Sequence, residues 1–229
     1  MNTKHKKPTL TKKQRHKLRV QQVRRQKIFL TCLFLLIVGC ILLRFSKFSG
    51  KQKETHQINA ACEAYRDEVS SEAAQYDMSD YVDLILAVMM QESSGQGTDP
   101  MQSSEGAYNT KYPQQPNGIT DPSYSISCGI QELKYALEKA VCTGPTDLSK
   151  IRLALQAYNF GADSYFAYLE ENGQTVWTAQ SAQAFAQMAS GGTQRDEDDP
   201  LHDPAGPWDY GDQYYPDHVL RYYHLDNNS

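Results

Sequence analysis

The chain has 229 residues, enough for one well-cored domain with additions at its ends. Its formal net charge of −4 hides an uneven spread: residues 1–27 carry seven Lys, four Arg and no acid, while all 27 Asp and Glu lie beyond them. The acidic main part excludes a phosphate-binding surface of clustered cations, so no nucleic-acid partner is expected, and the split in sign implies two environments for one chain.

Ile28 to Leu43 (IFLTCLFLLIVGCILL) is uncharged and almost wholly apolar. Extended through Phe48, with Arg44 and Lys47 reaching back to the interface, it gives about 20 residues, enough to span a bilayer. The cations before it and the acidic part after it predict a cytoplasmic N-terminus and an external main part. A cleaved signal peptide is the alternative; no Ala-x-Ala site closely follows Leu43, so an uncleaved anchor over 28–48 is the expectation. The basic arm at 1–27 suits anionic lipid, and residues 49–57 form a short polar stalk. Cys32 and Cys40 fall in the span. Cys62, Cys128 and Cys142 lie outside it, allow one disulfide among three, and have no metal-site spacing, so neither metal nor cofactor is expected.

Beyond the stalk, Cys62, Tyr65, Val69, Ala73 and Tyr76 recur at helical spacing and predict a helix over 58–76. A second helix is predicted over 80–95, capped by Ser79 or Asp80 and stopped by Gly95. Ile85, Val88, Met89 and Glu92 share one stripe of it, which sets a carboxyl group among core-facing residues. Desolvation and the negative end of the helix dipole both favour its neutral form there, as a general acid requires. The alternative is a helix-end glutamate that bends out to water.

Residues 95–127 show no sustained period and read as a long loop. Its Tyr108, Tyr112 and Tyr124 with Gln102, Asn109 and Asn117 suit a groove for a sugar, whose faces stack on aromatics and whose hydroxyls need amide partners. Asp99, seven residues past Glu92, is either a second carboxylate across a cleft or a turn residue ahead of Pro100. Further helices are predicted over 129–141, with Ile130, Leu133, Ala136, Leu137 and Val141 inward, and over 148–159, with Ile151, Ala154, Leu155 and Tyr158 inward. Two more follow over 162–171 and 178–188. The acidic run Asp196 to Asp199 lacks the spacing of a calcium loop and reads as solvated. Tyr214, Tyr215, Tyr222 and Tyr223 cluster around Val219 and Leu220, with His218 as a structural residue. The expected fold class is α+β, mainly α.

Three pieces occur in order: Glu92-Ser93, Ser127-Cys128-Gly129-Ile130-Gln131, and Ala157-Tyr158-Asn159-Phe160-Gly161. Together they resemble the goose-type lysozyme and lytic transglycosylase superfamily, whose fingerprint is Glu-Ser, then Ser-x-Gly-hydrophobic-hydrophobic-Gln, then Ala-Tyr-Asn-x-Gly. The segments Gln91 to Gly95, Thr98 to Gly106, Asn117 to Pro122 and His218 to Tyr223 are similar to the lysozyme-like cell-wall hydrolase domain of CwlT-type proteins from Gram-positive conjugative elements. The middle motif departs from the pattern, with one hydrophobic residue fewer before Gln131.

The resemblance implies a lysozyme-like domain over 58–224 behind a single transmembrane helix. It also implies cleavage of peptidoglycan between N-acetylmuramic acid and N-acetylglucosamine. Glu92 would be the general acid and Asp99 a supporting carboxylate that could act as the base for water. Ser127 and Gln131 would orient Glu92 or the sugar, and Tyr158 and Asn159 would line the cleft. The plainer readings are a turn or cap for Ser127, an exposed position for Gln131, core for Tyr158 and a helix cap for Asn159. The second, cysteine-dependent peptidase domain of the CwlT type is not expected. The implied partners are glycan strands and conjugation or type IV secretion proteins. The alternatives are a lytic transglycosylase and a silent wall-binding scaffold.

Overall fold

The computed structural model describes residues 56–225. The basic arm, the span expected at 28–48 and most of the stalk lie outside the described residues. Among the described residues no helix is long and apolar enough to cross a membrane.

The helix expected over 58–76 is two helices, α1 (Ala60–Glu63) and α2 (Arg66–Gln75). Asn59 caps α1 by accepting the Cys62 N–H at 2.8 Å, and the Tyr65 N–H turns back to the Cys62 carbonyl at 3.0 Å. This tighter turn interrupts the α ladder at Ala64 and Tyr65 without losing the buried stripe of Cys62, Val69 and Ala73. A 3₁₀ turn, Ser79–Tyr81, leads into α3 (Val82–Glu92); neither Ser79 nor Asp80 caps it through a side chain. Six consecutive residues of α3, Leu84 to Met89, are buried. A helix apolar on all sides is the core of the domain, with each large side chain contributing about 1.5–3 kcal/mol by burial.

The next helix begins seven residues earlier than expected. α4 runs Pro122–Lys139, because Asp121 accepts the Ser123 N–H at 3.1 Å and Pro122 occupies the first turn, where its missing N–H costs nothing. The long loop is shorter accordingly, and Tyr124 is a helix residue. The expected inward Val141 is 71 % exposed, since the helix has ended before it and its φ is +56°. α5 (Leu148–Phe160), capped by Asp147, and α6 (Ala162–Glu171) are joined at Gly161, whose φ of +86° permits the sharp turn. α7 (Ala179–Ala189) starts in a reciprocal cap between Thr178 and Ser181. The short α8 (His202–Ala205) and α9 (Tyr215–Leu220) close the described chain.

Of the expected class, α+β and mainly α, the mainly α part holds and the β part does not. Among the described residues the only β pairing is one isolated antiparallel bridge, Gln194 with Trp208, so the domain is mainly helical. The buried Arg195 stabilises this crossing by donating to the Gly206 carbonyl at 2.5 Å and the Gly211 carbonyl at 2.7 Å, while Asp196 to Asp198 stay in solvent. Around α3, α2 and α9 pack directly, and α5 packs on α4, α6 and α9. Cys62, Cys128 and Cys142 are free thiols.

Candidate active site

Glu92 is the last residue of α3 and is half-buried at the floor of a cavity of about 680 Å³. That volume is typical of a ligand cleft. The helix can end there because Ser93 ties the chain into the loop: its hydroxyl donates to the Pro100 carbonyl at 2.8 Å and accepts the Gly95 N–H at 3.1 Å. At Gly95 φ is +73°, and a Cβ would lie 2.7 Å from the Cys62 backbone nitrogen, so α1 closes on the loop only where no side chain intervenes.

The Glu92 carboxyl is pushed up to about 7, first by burial and then by the charges of Asp212 and Asp99. One contact opposes the shift: the Tyr215 hydroxyl, from the first turn of α9, donates to Glu92 Oε1. With Oε1 accepting this bond, the acidic proton belongs on Oε2. The Tyr215 ring stacks on that of Tyr158, centroids 6.3 Å apart, and the Tyr158 hydroxyl donates to the Met101 carbonyl at 3.0 Å. Burial holds both phenols well above the usual tyrosine range. They therefore serve as neutral donors on the acid's flank.

Tyr158 and Asn159 line the cavity, as the motif implied. Asn159 Oδ1 accepts the Asp212 N–H at 2.7 Å, and the Gln156 amide donates to the Asp212 carbonyl at 2.8 Å. Asp212 in turn contacts His218 Nδ1 through Oδ2 at 2.5 Å. The aromatic cluster at 210–223 is thus fastened to α5 by backbone as well as ring contacts.

Asp99 lies elsewhere. It is 1 % exposed and does not line the cavity. Its Oδ1 accepts the Ser103 N–H at 3.0 Å and the Ser125 hydroxyl at 2.6 Å, and its Oδ2 accepts the Ser104 N–H at 3.1 Å and the Ser104 hydroxyl. Four donors fill the carboxylate. The same Ser104 hydroxyl accepts the Ile119 N–H at 2.9 Å, so Asp99 organises the whole loop. Of the expected groove residues, Gln102 and Tyr108 reach the cavity. Asn109 is instead buried inside the loop, donating to the Ser104 carbonyl at 2.6 Å, and Asn117 accepts from Gln102 at 3.1 Å. Tyr112 and Tyr124 pair with each other, centroids 5.4 Å apart, away from the cavity.

Ser127 and Gln131 are also turned away. They share a face of α4, with Gln131 Nε2 donating to the Ser127 carbonyl at 3.1 Å and the Ser127 hydroxyl 2.9 Å from that of Tyr76, the residue that ends α2. The next residue, Glu132, stands one helical step round and lines the cavity with Tyr135, one turn on. Its carboxyl is pushed up to about 7 by burial, aided by the charges of Asp99 and Glu92 and opposed by the Tyr108 N–H. The spacing itself held a signal: the fingerprint places its Gln five residues after the Ser, and five after Ser127 is Glu132, not Gln131. Gly129 fits its motif position physically, since a Cβ there would meet Met101 Cβ at 2.6 Å and displace the carbonyl that holds Tyr158.

The sequence profile of the lysozyme-like family matches residues 60–223. A bifunctional muramidase/DL-endopeptidase, CwlT, of Bacillus subtilis strain 168 is 35 % identical over 169 residues, covering 74 % of this chain and 44 % of that protein. The uncharacterized membrane protein YocA of the same organism is 39 % identical over 48 % of this chain and 45 % of its own length. Among solved structures, a lipoprotein-like member of the NLP/P60 family from Staphylococcus aureus Mu50 superposes with a TM-score of 0.62 at 27 % identity, covering 76 % of this chain and 56 % of that one. The chain thus spans about half the length of these relatives.

Proposed function

The chain belongs to the lysozyme-like family, and from that premise we propose that it cleaves the glycan strand of peptidoglycan between N-acetylmuramic acid and N-acetylglucosamine, as a muramidase. The observation that carries this reading is Glu92: a carboxyl pushed up to about 7, facing a sugar-sized cavity and steadied by Tyr215. The muramidase activity for which the CwlT relative is named supports it.

In this mechanism neutral Glu92 gives its proton to the glycosidic oxygen as the C–O bond breaks, and the Tyr215 hydroxyl stabilises the carboxylate that remains. Positive charge spreads over the sugar ring beside Tyr158 and Asn159, which line the cavity, and water then bonds to the anomeric carbon and releases a proton that restores neutral Glu92. Asp99 acts as the anchor of the loop rather than as the base, because every lone-pair direction it offers is taken. Ser127 and Gln131 brace α4 against α2. Replacing Glu92 by Gln keeps the shape and removes the proton; lysis of purified wall by the full chain should stop, and undiminished lysis would sink the assignment of Glu92, whereas wall binding with no fragments released by the unaltered chain would favour a silent scaffold.

The placement of Asp99 favours a second reading, in which Glu92 serves as acid and then as base and the product is an anhydro sugar, as in lytic transglycosylases. Product masses separate the two, since the anhydro ends are lighter by one water. We also propose an uncleaved anchor at 28–48, the N-terminus in the cytoplasm and the domain facing the wall, opening it locally for conjugation or type IV secretion proteins. The charge split and apolar run support this topology. Protease added to intact cells should remove the domain; protection of it would refute the orientation.

A further inference from the structure

The cavity holds a carboxyl group that the mechanism above does not use. Glu132 comes from α4 and faces Glu92 of α3, Asp99 and Glu105 of the loop, Tyr158 of α5 and Asp163 of α6, with Tyr135 and Tyr108 beside it. Among the residues lining the cavity there is no Lys, Arg or His. The Glu132 Oε1 atom is shut off from solvent without a hydrogen-bond partner, pressed so closely on Gly106 that a Cβ there would lie 1.4 Å from it. A charged oxygen in such a place, with acids around it and Lys139 of α4 taken up by Asp163 at 3.3 Å, is disfavoured, whereas a neutral acid is tolerated.

We infer that Glu132 is a substrate-binding residue that works as a neutral carboxylic acid, offering the sugar an O–H donor through the oxygen that faces the cavity, as the amide of a glutamine would offer an N–H, and not a base for water. A protonated carboxyl has one O–H and one C=O where a primary amide has N–H and C=O, and the two are close to the same size. Occupation of the fingerprint's Gln position by a Glu then follows without loss of hydrogen-bonding capacity, provided that the site keeps the proton on. The groups it suits are the hydroxyls and acetamido group of an amino sugar. That identity rests on the peptidoglycan reading; the neutrality does not.

The test uses the full chain in detergent, carrying Glu92→Gln so that walls are bound but not cut and Glu92 does not itself titrate. Sedimentation with purified peptidoglycan is followed from pH 5.5 to 8.5. Binding is expected to weaken about tenfold across that range, the worth of one hydrogen bond to a neutral partner. Adding Glu132→Gln should keep binding at pH 5.5 and hold it flat to pH 8.5, while Glu132→Ala should weaken it about tenfold or more throughout. A Glu132→Gln variant as weak as Glu132→Ala, or one that retains the pH dependence, overturns the inference. So does complete loss of lysis on making Glu132→Gln in the protein with Glu92 intact, for then the residue is the base. A chain that binds in the expected manner yet releases no fragments when Glu92 is present would defeat the glycosidase reading and leave this one standing.

Discussion

The loop at 93–121 and the cleft it borders both contain carboxyl groups, and the two regions treat them in opposite ways. Asp99 in the loop receives four hydrogen bonds, three of them from serine neighbours close in sequence. Glu92 and Glu132 in the cleft are starved: one has Tyr215 on one oxygen, the other has an oxygen with no partner. All three groups are removed from bulk water to a large degree. The saturated carboxylate is a structural element, and the starved ones hold protons near neutrality. Burial alone therefore does not raise the proton affinity of a carboxyl group; burial without enough donors does.

The largest effect expected of this contrast is on chemistry. Glu92→Gln should lower wall lysis by about 10²–10⁴-fold, the usual worth of a general acid, with circular dichroism and Tm close to the parent. Asp99→Ala should do the reverse, acting through stability. It strands two buried N–H groups and two hydroxyls and should cost roughly 3–5 kcal/mol by denaturant unfolding, with activity lost as folded protein is lost. If Asp99→Ala unfolds normally but is inactive, the loop carboxylate has a chemical role and the contrast breaks.

The pH dependence sharpens it further. Glu92 has a folded value of about 7 against an ordinary 4.5, so between these limits the native state keeps a proton that the unfolded chain has lost. Stability from this group is present in full below about 4.5 and falls as pH rises to about 7, by an amount on the order of 3 kcal/mol. Glu92→Gln should remove that decline, matching the parent at pH 4 and exceeding it at pH 8. Activity that needs the proton fades over the upper part of the same window. The smallest effect belongs to Tyr215→Phe. Loss of the donor that holds Glu92 down should move the alkaline limb of the pH–rate profile upward and lower kcat by about tenfold or less. An unmoved limb means the hydroxyl does not act on Glu92.

Local sequence was enough for several of these features. The stripe of Ile85, Val88, Met89 and Glu92 is set by helical period, although the helix ends at Glu92, three residues before the stop expected at Gly95. Asp121-Pro122 also carries a helix start, masked in the sequence by the serines and glycine that follow it. The Ala-Tyr-Asn-x-Gly motif gave Tyr158 and Asn159, which do line the cavity. Less legible was the middle motif. Gln131 and Glu132 are adjacent in the chain but about 100° apart around α4, so a shift of one residue in register moves the motif's side chain from the α2 side to the cleft.

The sequence by itself determined the helical domain, its central buried helix and the acid at that helix's end, because caps and apolar period act between residues a few positions apart. Only the tertiary structure decided which neighbours those residues meet. Tyr215 reaches Glu92 from 123 positions away, Ser125 completes the saturation of Asp99 from another helix, and α4 turns Glu132 to the cavity. Period tells which side chains share a face. It does not tell which faces abut, and the proton affinity of a carboxyl is set by what abuts it.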